Sequence, residues 1–280
     1  MIAVRQKPAT DNVGEQSAPI EIKSVKNEDF EMNYFSFGNG EKTFVILPGA
    51  SLKSIMLSAD AVAAGYAGFT EKYTVYVFDC SSNWQEDYSI AQRAGDTALA
   101  MKQLGIEQAD ILGCSTGGMI AQYIAINNPE LVHKLVLGST MARNNEISRA
   151  TLSEWKQLAD AGDAVAFNRN MSKKVYSEAY YEQFNDIFKS MESDGTAEEM
   201  QRFSKMMSAL LNMNSYDELD KISCPVLVIG SWKDLTLSPA GSIEIAEKLG
   251  CELYMYSGYS HAVYDEAPDY KERIMSFLAE

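Results

Sequence analysis

The chain carries at residues 110–119 the stretch Asp110-Ile111-Leu112-Gly113-Cys114-Ser115-Thr116-Gly117-Gly118-Met119, a G-x-S-x-G pattern centred on Ser115. The apolar run Ala109–Cys114 predicts a buried strand, and the segment Thr116–Asn127 predicts a helix. A strand–turn–helix at this pattern is a sharp, strained turn that exposes the serine hydroxyl at the end of a sheet. Glycines on either side leave room for the close approach of neighbouring chain that such a turn needs.

A second interpretation of this stretch is a glycine-rich turn that binds phosphate in another α/β fold. The stretch has no lysine at the position that a phosphate-binding P-loop requires. It also lacks the G-x-G-x-x-G spacing of dinucleotide-binding turns. We therefore predict that Ser115 is a nucleophile.

A serine hydroxyl is a weak nucleophile until a base accepts its proton. The chain has two histidines, His133 and His261. His133 begins the strand that follows the predicted helix Thr116–Asn127, and it is predicted to be a surface or structural residue. His261 lies in a Gly- and Ser-rich loop directly after the last predicted strand, and parallel sheets place ligands at the carboxyl ends of their strands. We predict that His261 is the base; the alternative is a polar loop histidine with no catalytic part.

The histidine needs a carboxylate that holds its tautomer and stabilises its charged form. In proteins whose nucleophile lies on this kind of strand–turn–helix, called a nucleophile elbow, the acid lies between the nucleophile and the histidine in the chain. Asp234 meets this condition just past the predicted strand Pro225–Gly230, whereas no carboxylate follows the strand that ends at Gly138. Asp265 and Glu266 are near the histidine in sequence but follow it. We predict Asp234 as the acid.

Two backbone N–H groups are expected to stabilise the oxyanion. One belongs to Thr116, the residue after the nucleophile. The other is expected in the loop after the third strand, Leu47-Pro48-Gly49-Ala50-Ser51, where Ala50 is the best candidate. The alternative for this loop is an ordinary turn at the end of a strand.

Strand-like and helix-like segments alternate along most of the chain, which predicts an α/β fold with a mainly parallel sheet of eight strands. The alternation breaks between Met141 and Tyr216, where three helices are predicted over Thr151–Ala161, Ser177–Ser190 and Thr196–Leu211. We predict a flexible arm over 1–18, a core over 19–140 and 217–280, and a helical cap over 141–216, inserted after strand 6. Met and aromatic residues of the cap are expected either to shape the acyl pocket or to form cap core: Met171, Tyr176, Tyr180, Phe184, Phe188, Met206 and Met207.

These segments together resemble the α/β-hydrolase superfamily, in particular cap-bearing esterases, lactonases and carbon–carbon bond hydrolases. The likeness runs from about residue 20 to the end, apart from the cap. The histidine segment, Gly258-x-x-His261 followed by Glu266-x-Pro268, matches the family closely. Pro48 stands where the family usually has His, Cys114 stands where it often has His, and Ser231 stands where it usually has Gly. Pro48 lies in the loop after the third strand, so this difference from the family affects the shape of the loop that holds the Ala50 donor, and with it the substrate class.

The resemblance implies a serine hydrolase that cleaves a small or medium-sized carboxylic ester through an acyl-enzyme, with no metal or organic cofactor. The same triad also serves carbon–carbon bond hydrolases, perhydrolases, thioesterases, peptidases and acyltransferases. A non-catalytic homologue that binds a small ligand is the alternative from a different class, because fold does not determine function.

The net charge of −15 argues against binding nucleic acid or anionic membranes, since both require a basic surface. A negative field favours neutral or cationic ligands, so the expected partner is a neutral, partly apolar small molecule. The four cysteines form no C-x-x-C pair, which argues against zinc. The N-terminus lacks the apolar stretch of a signal peptide, and three cysteines fall in or at the end of buried-strand patterns, so we expect a reducing, cytoplasmic location. A homodimer would be the commonest assembly.

Overall fold

The computed structural model describes residues 19–28, 30–80 and 82–280, so the predicted arm 1–18 lies outside the described residues. Eight strands form one sheet: β1 Ile22–Lys26, β2 Glu31–Phe37, β3 Lys42–Leu47, β4 Tyr73–Phe78, β5 Ala109–Cys114, β6 Val132–Gly138, β7 Val226–Ser231 and β8 Glu252–Tyr256. Their order is β1-β2-β4-β3-β5-β6-β7-β8. Strand β2 runs antiparallel to β1 and β4, and every other neighbouring pair is parallel.

The predicted α/β fold with an eight-stranded, mostly parallel sheet is confirmed. All residues of β5 and β7 are buried, because helices cover both faces of the sheet. The carboxyl ends of β3, β5, β7 and β8 open on one edge of the sheet. This edge receives the loops that carry Ala50, Ser115, Asp234 and His261.

Eleven α-helices lie within the described residues: α1 Ala59–Gly65, α2 Ile90–Gln103, α3 Thr116–Asn127, α4 Glu146–Asp160, α5 Ala164–Val175, α6 Glu178–Gln183, α7 Asn185–Met191, α8 Ala197–Leu211, α9 Pro239–Leu249, α10 Val263–Glu266 and α11 Tyr270–Ala279. Helices α2 and α8 begin at capping boxes: the Gln92 side chain accepts from the Ser89 N–H, and the Glu199 side chain accepts from the Thr196 N–H. No helix in the described ranges combines the length and apolar character that a membrane span requires.

Helices α4 to α8 follow one another between β6 and β7, where a helical cap is predicted; we call residues 146–211 the helical insert. The predicted start of α4 at Thr151 is wrong. The helix begins five residues earlier, because Asn145 and Ser148 form a reciprocal capping box. Thr151 lies inside the helix, and its hydroxyl donates to the Leu235 carbonyl (3.3 Å).

Helix α5 is absent from the sequence prediction, although it has a local start signal. The Asp163 carboxylate accepts from the Ala166 N–H (2.9 Å) and caps the helix. Phe167, Met171 and Val175 follow at intervals of four and are buried. Asn168 and Asn170 interrupt this stripe with residues of modest helix propensity, which makes the stripe harder to recognise in the sequence. The predicted helix Ser177–Ser190 is split into α6 and α7 at Phe184.

Candidate active site

Ser115 joins β5 to α3 in a backbone conformation that few L-residues adopt, with φ 53° and ψ −119°. Its neighbours hold this conformation. The Ser115 N–H donates to the Gly138 carbonyl (2.8 Å), and the Thr140 hydroxyl donates to the Ser115 carbonyl (2.7 Å). Strained backbone of this kind persists when the surroundings determine it, and it concentrates at functional sites.

The glycines of the G-x-S-x-G pattern are required by close packing around the elbow. A Cβ atom on Gly117 would lie 1.9 Å from the Leu47 carbonyl oxygen. A Cβ atom on Gly113 would lie 2.5 Å from the Gly117 carbonyl oxygen. Both contacts are with backbone, which cannot rotate away, so the pattern lets β5, α3 and the loop after β3 approach one another.

Gly117→Ala is therefore expected to lower the free energy of unfolding by about 3 kcal/mol or more, or to prevent folding. The matched control is Gly95→Ala in α2, where a Cβ atom would have nothing within 4 Å. That variant is expected to gain about 0.5–1 kcal/mol, since alanine is the better helix former. Urea unfolding of both variants checks this, and a Gly117→Ala protein as stable as wild type would contradict it.

The structure brings Ser115, His261 and Asp234 together in one hydrogen-bonded chain, although 146 positions separate the serine from the histidine. His261 Nε2 lies 3.0 Å from Ser115 Oγ, and His261 Nδ1 lies 2.8 Å from Asp234 Oδ2. All three residues are buried, with at most 8% exposed. We assign the proton to Nδ1, because a carboxylate only accepts; this leaves Nε2 to accept from the serine hydroxyl.

The backbone fixes the orientation of the Asp234 carboxylate. Its Oδ1 accepts from the N–H groups of Thr236 (2.8 Å) and Leu237 (2.9 Å), which leaves Oδ2 for the histidine. The histidine loop is also anchored. The Ser260 hydroxyl lies 3.2 Å from both the Lys174 and Lys233 carbonyls. Acid and base are thus held by separate sets of hydrogen bonds.

His133 forms a second aspartate–histidine pair at the opposite end of β5. Its Nδ1 lies 2.7 Å from Asp110 Oδ1, and Asp110 also accepts from the Tyr73 hydroxyl (2.9 Å). The His133 side chain is half exposed. Ser115 follows Asp110 by five residue steps, which is about 16 Å along a strand at about 3.3 Å per residue. The structure therefore places His133 away from the candidate site.

Both predicted oxyanion donors belong to segments beside Ser115. Thr116 opens α3, so its N–H has no acceptor within the helix. Ala50 lines the cavity above Ser115, and the preceding Gly49 packs so closely that a Cβ atom there would lie 3.1 Å from Ser115 Cβ. The placement of both segments suits the predicted roles.

Cys114 precedes Ser115 and is fully buried. Burial raises the pKa of its thiol to about 12, so the neutral thiol is no competing nucleophile near neutral pH. All four cysteines are free thiols. Within residues 19–28, 30–80 and 82–280, no three His, Cys, Asp or Glu side chains come together as a metal site would require.

A small cavity lies over the serine between the core and the helical insert, with about 20 Å³ of space for the centre of a water-sized molecule. Larger surface grooves exist elsewhere, but this one contains the candidate nucleophile. Its lining is Ala50, Ser115, Trp155, Met171, Ser172, Val175, Tyr176, His261 and Tyr264. Met171 and Tyr176 come from the predicted Met–aromatic set, whereas Phe188, Met206 and Met207 are buried core. No local sequence pattern pointed to the other lining residues that the structure adds: Trp155, Ser172, Val175 and Tyr264.

The two carboxylates beyond His261 bind the helical insert. Asp265 Oδ2 accepts from the Tyr176 hydroxyl (3.0 Å). Glu266 accepts from the Ser177 hydroxyl and from the Ser177 N–H (3.1 Å). These contacts account for the Asp265-Glu266 pair without a role for either as the acid of the triad.

Burial raises the pKa of Asp265 to about 6, above its value of about 3.9 in an unfolded chain. The proton therefore favours the folded state: this stabilisation is present below about pH 4 and is lost as pH rises through about 6. Relative to Asp265→Asn, the wild type is expected to lose about 1–3 kcal/mol of unfolding free energy between pH 4 and pH 7. Urea unfolding at both pH values measures this. A difference that does not change with pH would contradict it, and exposed Glu107→Gln serves as control.

The sequence matches the model of the α/β-hydrolase fold family over residues 68–268. The chain belongs to this family. It is 24% identical over 216 residues to 3-oxoadipate enol-lactonase 2 of Acinetobacter baylyi, covering 74% of this chain and 77% of that protein. Its structure resembles MGS-M2, an alpha/beta hydrolase enzyme from a Medee basin deep-sea metagenome library, with a TM-score of 0.82, 21% identity, and coverage of 92% and 98% of the two chains. It also resembles the enol-lactonase of Burkholderia xenovorans, with a TM-score of 0.79, 20% identity, and coverage of 92% and 100%.

Proposed function

We propose that this protein is a serine hydrolase that cleaves a small or medium-sized, uncharged carboxylic ester or lactone. The observation that carries the proposal is the unbroken hydrogen-bonded chain from Ser115 through His261 to Asp234, with distances of 3.0 and 2.8 Å. The relative named as an enol-lactonase supports hydrolysis of an ester-like bond.

In the first half of the reaction, Ser115 Oγ attacks the ester carbonyl carbon while His261 Nε2 takes the hydroxyl proton. The carbonyl oxygen becomes an oxyanion, to which the N–H groups of Ala50 and Thr116 donate. His261 then gives its proton to the departing alkoxide, and the acyl group stays on Ser115. In a lactone, the alkoxide remains attached to the acyl group because the ring opens.

In the second half, a water molecule attacks the acyl carbon and His261 takes its proton. The tetrahedral intermediate collapses, His261 returns the proton to Ser115 Oγ, and the carboxylic acid leaves. Asp234 stays ionised throughout and stabilises the imidazolium in each half. A single histidine thus acts as base and acid twice, which requires the fixed tautomer that Asp234 provides.

The cavity lining supports an uncharged substrate. Among the described residues that line it, none is Lys, Arg, Asp or Glu. A charged acyl group would lose its hydration there without gaining a partner, which is costly. The cavity is also narrow, since the space open to the centre of a water-sized molecule is about 20 Å³, little more than the roughly 10–15 Å³ that one water needs. These features together favour a compact neutral ester.

Labelling with a fluorophosphonate tests the proposal, since an activated serine displaces fluoride from phosphorus. We expect the label on Ser115, located by mass spectrometry, no label on Ser115→Ala, and much less on His261→Ala. A panel of esters, lactones, thioesters and vinylogous diketones then separates the proposed reaction from the others that use this triad. A folded wild-type protein that takes no label and turns over no ester would contradict the proposal and favour a ligand-binding homologue.

A further inference from the structure

Ser172 is a buried residue of the helical insert whose hydroxyl has no partner. It lies near the end of α5, is 5% exposed, and lines the same cavity as Ser115 and His261. Across the described part of the chain, no donor or acceptor pairs with its Oγ. The hydroxyl is not one of the fully enclosed polar atoms that lack a partner, such as Ser139 Oγ, so it is open to the cavity. A hydroxyl that opens on a cavity without a protein partner is available to bond a ligand there.

The other buried serines of the insert behave differently. The Ser148 hydroxyl donates to the Asn145 carbonyl (3.1 Å), and the Ser204 hydroxyl donates to the Asp160 carboxylate (2.5 Å). A helical serine can also donate to the carbonyl four residues earlier, as Ser208 does to Ser204 (3.2 Å). Ser172 makes neither kind of bond. Of the three serines buried on this insert, the one that faces the candidate nucleophile is the one left without a partner.

The end of α5 is held against the loops that carry the acid and the base. The Val175 carbonyl accepts from the Ala262 N–H (2.9 Å), next to His261. The Lys174 carbonyl accepts from the Ser260 hydroxyl (3.2 Å) and from the Thr236 hydroxyl (3.3 Å). These bonds set the position of α5, and therefore of Ser172, relative to the triad. Polar groups fixed in this way are preorganised for recognition.

Two other polar groups on the lining are already engaged. The Trp155 indole N–H donates to Asn170 Oδ1 (2.9 Å), and the Tyr176 hydroxyl donates to Asp265. Met171 and Val175 offer only apolar surface. The Tyr264 hydroxyl is the other lining hydroxyl for which the described residues provide no partner, and the Tyr264 ring packs edge-on to His261 with 6.3 Å between centroids.

We propose that Ser172 is a specificity-determining residue that donates a hydrogen bond to a second oxygen of the substrate, such as an ether, hydroxyl or ring oxygen outside the scissile group. This inference rests on the proposed function. It narrows the substrate class from neutral esters in general to neutral esters and lactones with an additional oxygen. A site built to bond an oxygen discriminates strongly against the analogue that lacks it.

Pairs of esters that differ by one oxygen in place of one methylene test the inference. An acyl-side pair is 4-nitrophenyl methoxyacetate and 4-nitrophenyl butyrate; an alcohol-side pair is 2-methoxyethyl acetate and butyl acetate. Ser172→Ala is expected to lower kcat/KM for the oxygen-bearing ester of at least one pair by about 10- to 100-fold. Its methylene counterpart is expected to change less than about 3-fold, since apolar contact is retained. The matched control is Ser190→Ala on α7, which is exposed and whose hydroxyl donates to the Ile187 carbonyl.

The ratio of the two kcat/KM values within a pair separates recognition from a general loss of structure, which would lower both alike. Equal changes in both members of every pair would overturn the inference and leave the proposed function intact. Discrimination lost in Tyr264→Phe but kept in Ser172→Ala would also overturn it. A wild-type protein that hydrolyses no ester would remove the proposed function, and this inference with it.

Discussion

Ser115→Ala is expected to lower kcat for ester hydrolysis by about 10⁴- to 10⁶-fold while the protein stays folded. The variant removes the attacking oxygen, so only the background reaction of water in the oxyanion site remains. Hydrolysis of 4-nitrophenyl esters at saturating substrate measures the effect, together with thermal unfolding. The expected stability is close to wild type, because alanine has the same Cβ atom as serine and adds no backbone strain, and the backbone contacts of Ser115 with Gly138 and Thr140 do not involve its side chain.

Ser139→Ala is the matched control for this variant. Ser139 directly follows β6, is fully buried, has φ 44°, and its hydroxyl has no partner among the residues that the structure describes. It therefore shares burial, backbone strain and chemistry with Ser115 but not the histidine. We expect its activity to stay within about 3-fold of wild type, as for most substitutions that leave the reacting groups in place. If Ser115→Ala kept wild-type activity, Ser115 would not be the nucleophile.

Asp234→Asn is expected to lower kcat by about 10⁴-fold, the scale seen when the acid of a serine triad is made neutral. The physical reason is the tautomer of His261. An amide in place of the carboxylate can present its NH₂ to Nδ1, which moves the ring proton to Nε2 and leaves Ser115 without a base. The two backbone N–H groups that Asp234 Oδ1 accepts can still be satisfied by an amide oxygen, so the loop is expected to keep its shape.

Asp110→Asn provides a close control, because this chain contains two buried aspartates that each bind a histidine. The Asp110–His133 distance of 2.7 Å matches the 2.8 Å of Asp234–His261. Both substitutions remove a buried charge beside an imidazole, but only one imidazole contacts Ser115. We expect Asp110→Asn to alter stability and to leave kcat within about 3-fold of wild type. Equal losses of kcat in the two variants would show that the effect of Asp234→Asn is structural.

Local sequence patterns were enough to predict the architecture and the three candidate triad residues. Apolar runs such as Phe44–Leu47 and Val226–Ile229 correspond to central parallel strands, because a strand buried on both faces needs them. The G-x-S-x-G pattern locates the elbow because the packing at Gly113 and Gly117 excludes any side chain, which limits the choice of residue. The order of Ser115, Asp234 and His261 follows from the order of strands that end on the same edge.

The helices of the insert were predicted less well, because tertiary contacts decide where they begin. Thr151 and Glu154 have capping-box spacing but lie inside α4, where the Glu154 carboxylate accepts from Lys174 Nζ (2.7 Å) and Asn170 Nδ2 (2.7 Å). The true cap, Asn145, also donates to the Leu237 carbonyl (2.8 Å), a contact 92 residues away in sequence. Capping chemistry is local, but the choice between two candidate caps depends on these distant partners.

The sequence by itself determined the fold class, the elbow and the three side chains proposed for catalysis, because each depends on a short pattern or on strand order. Only the tertiary structure decided which side chains surround the serine. Trp155 and Ser172 lie on helices that approach Ser115 only when the insert packs on the core, and Tyr264 lies on α10, which binds the insert through Asp265 and Tyr176. Such placements depend on packing between segments far apart in the chain, and no local pattern encodes them.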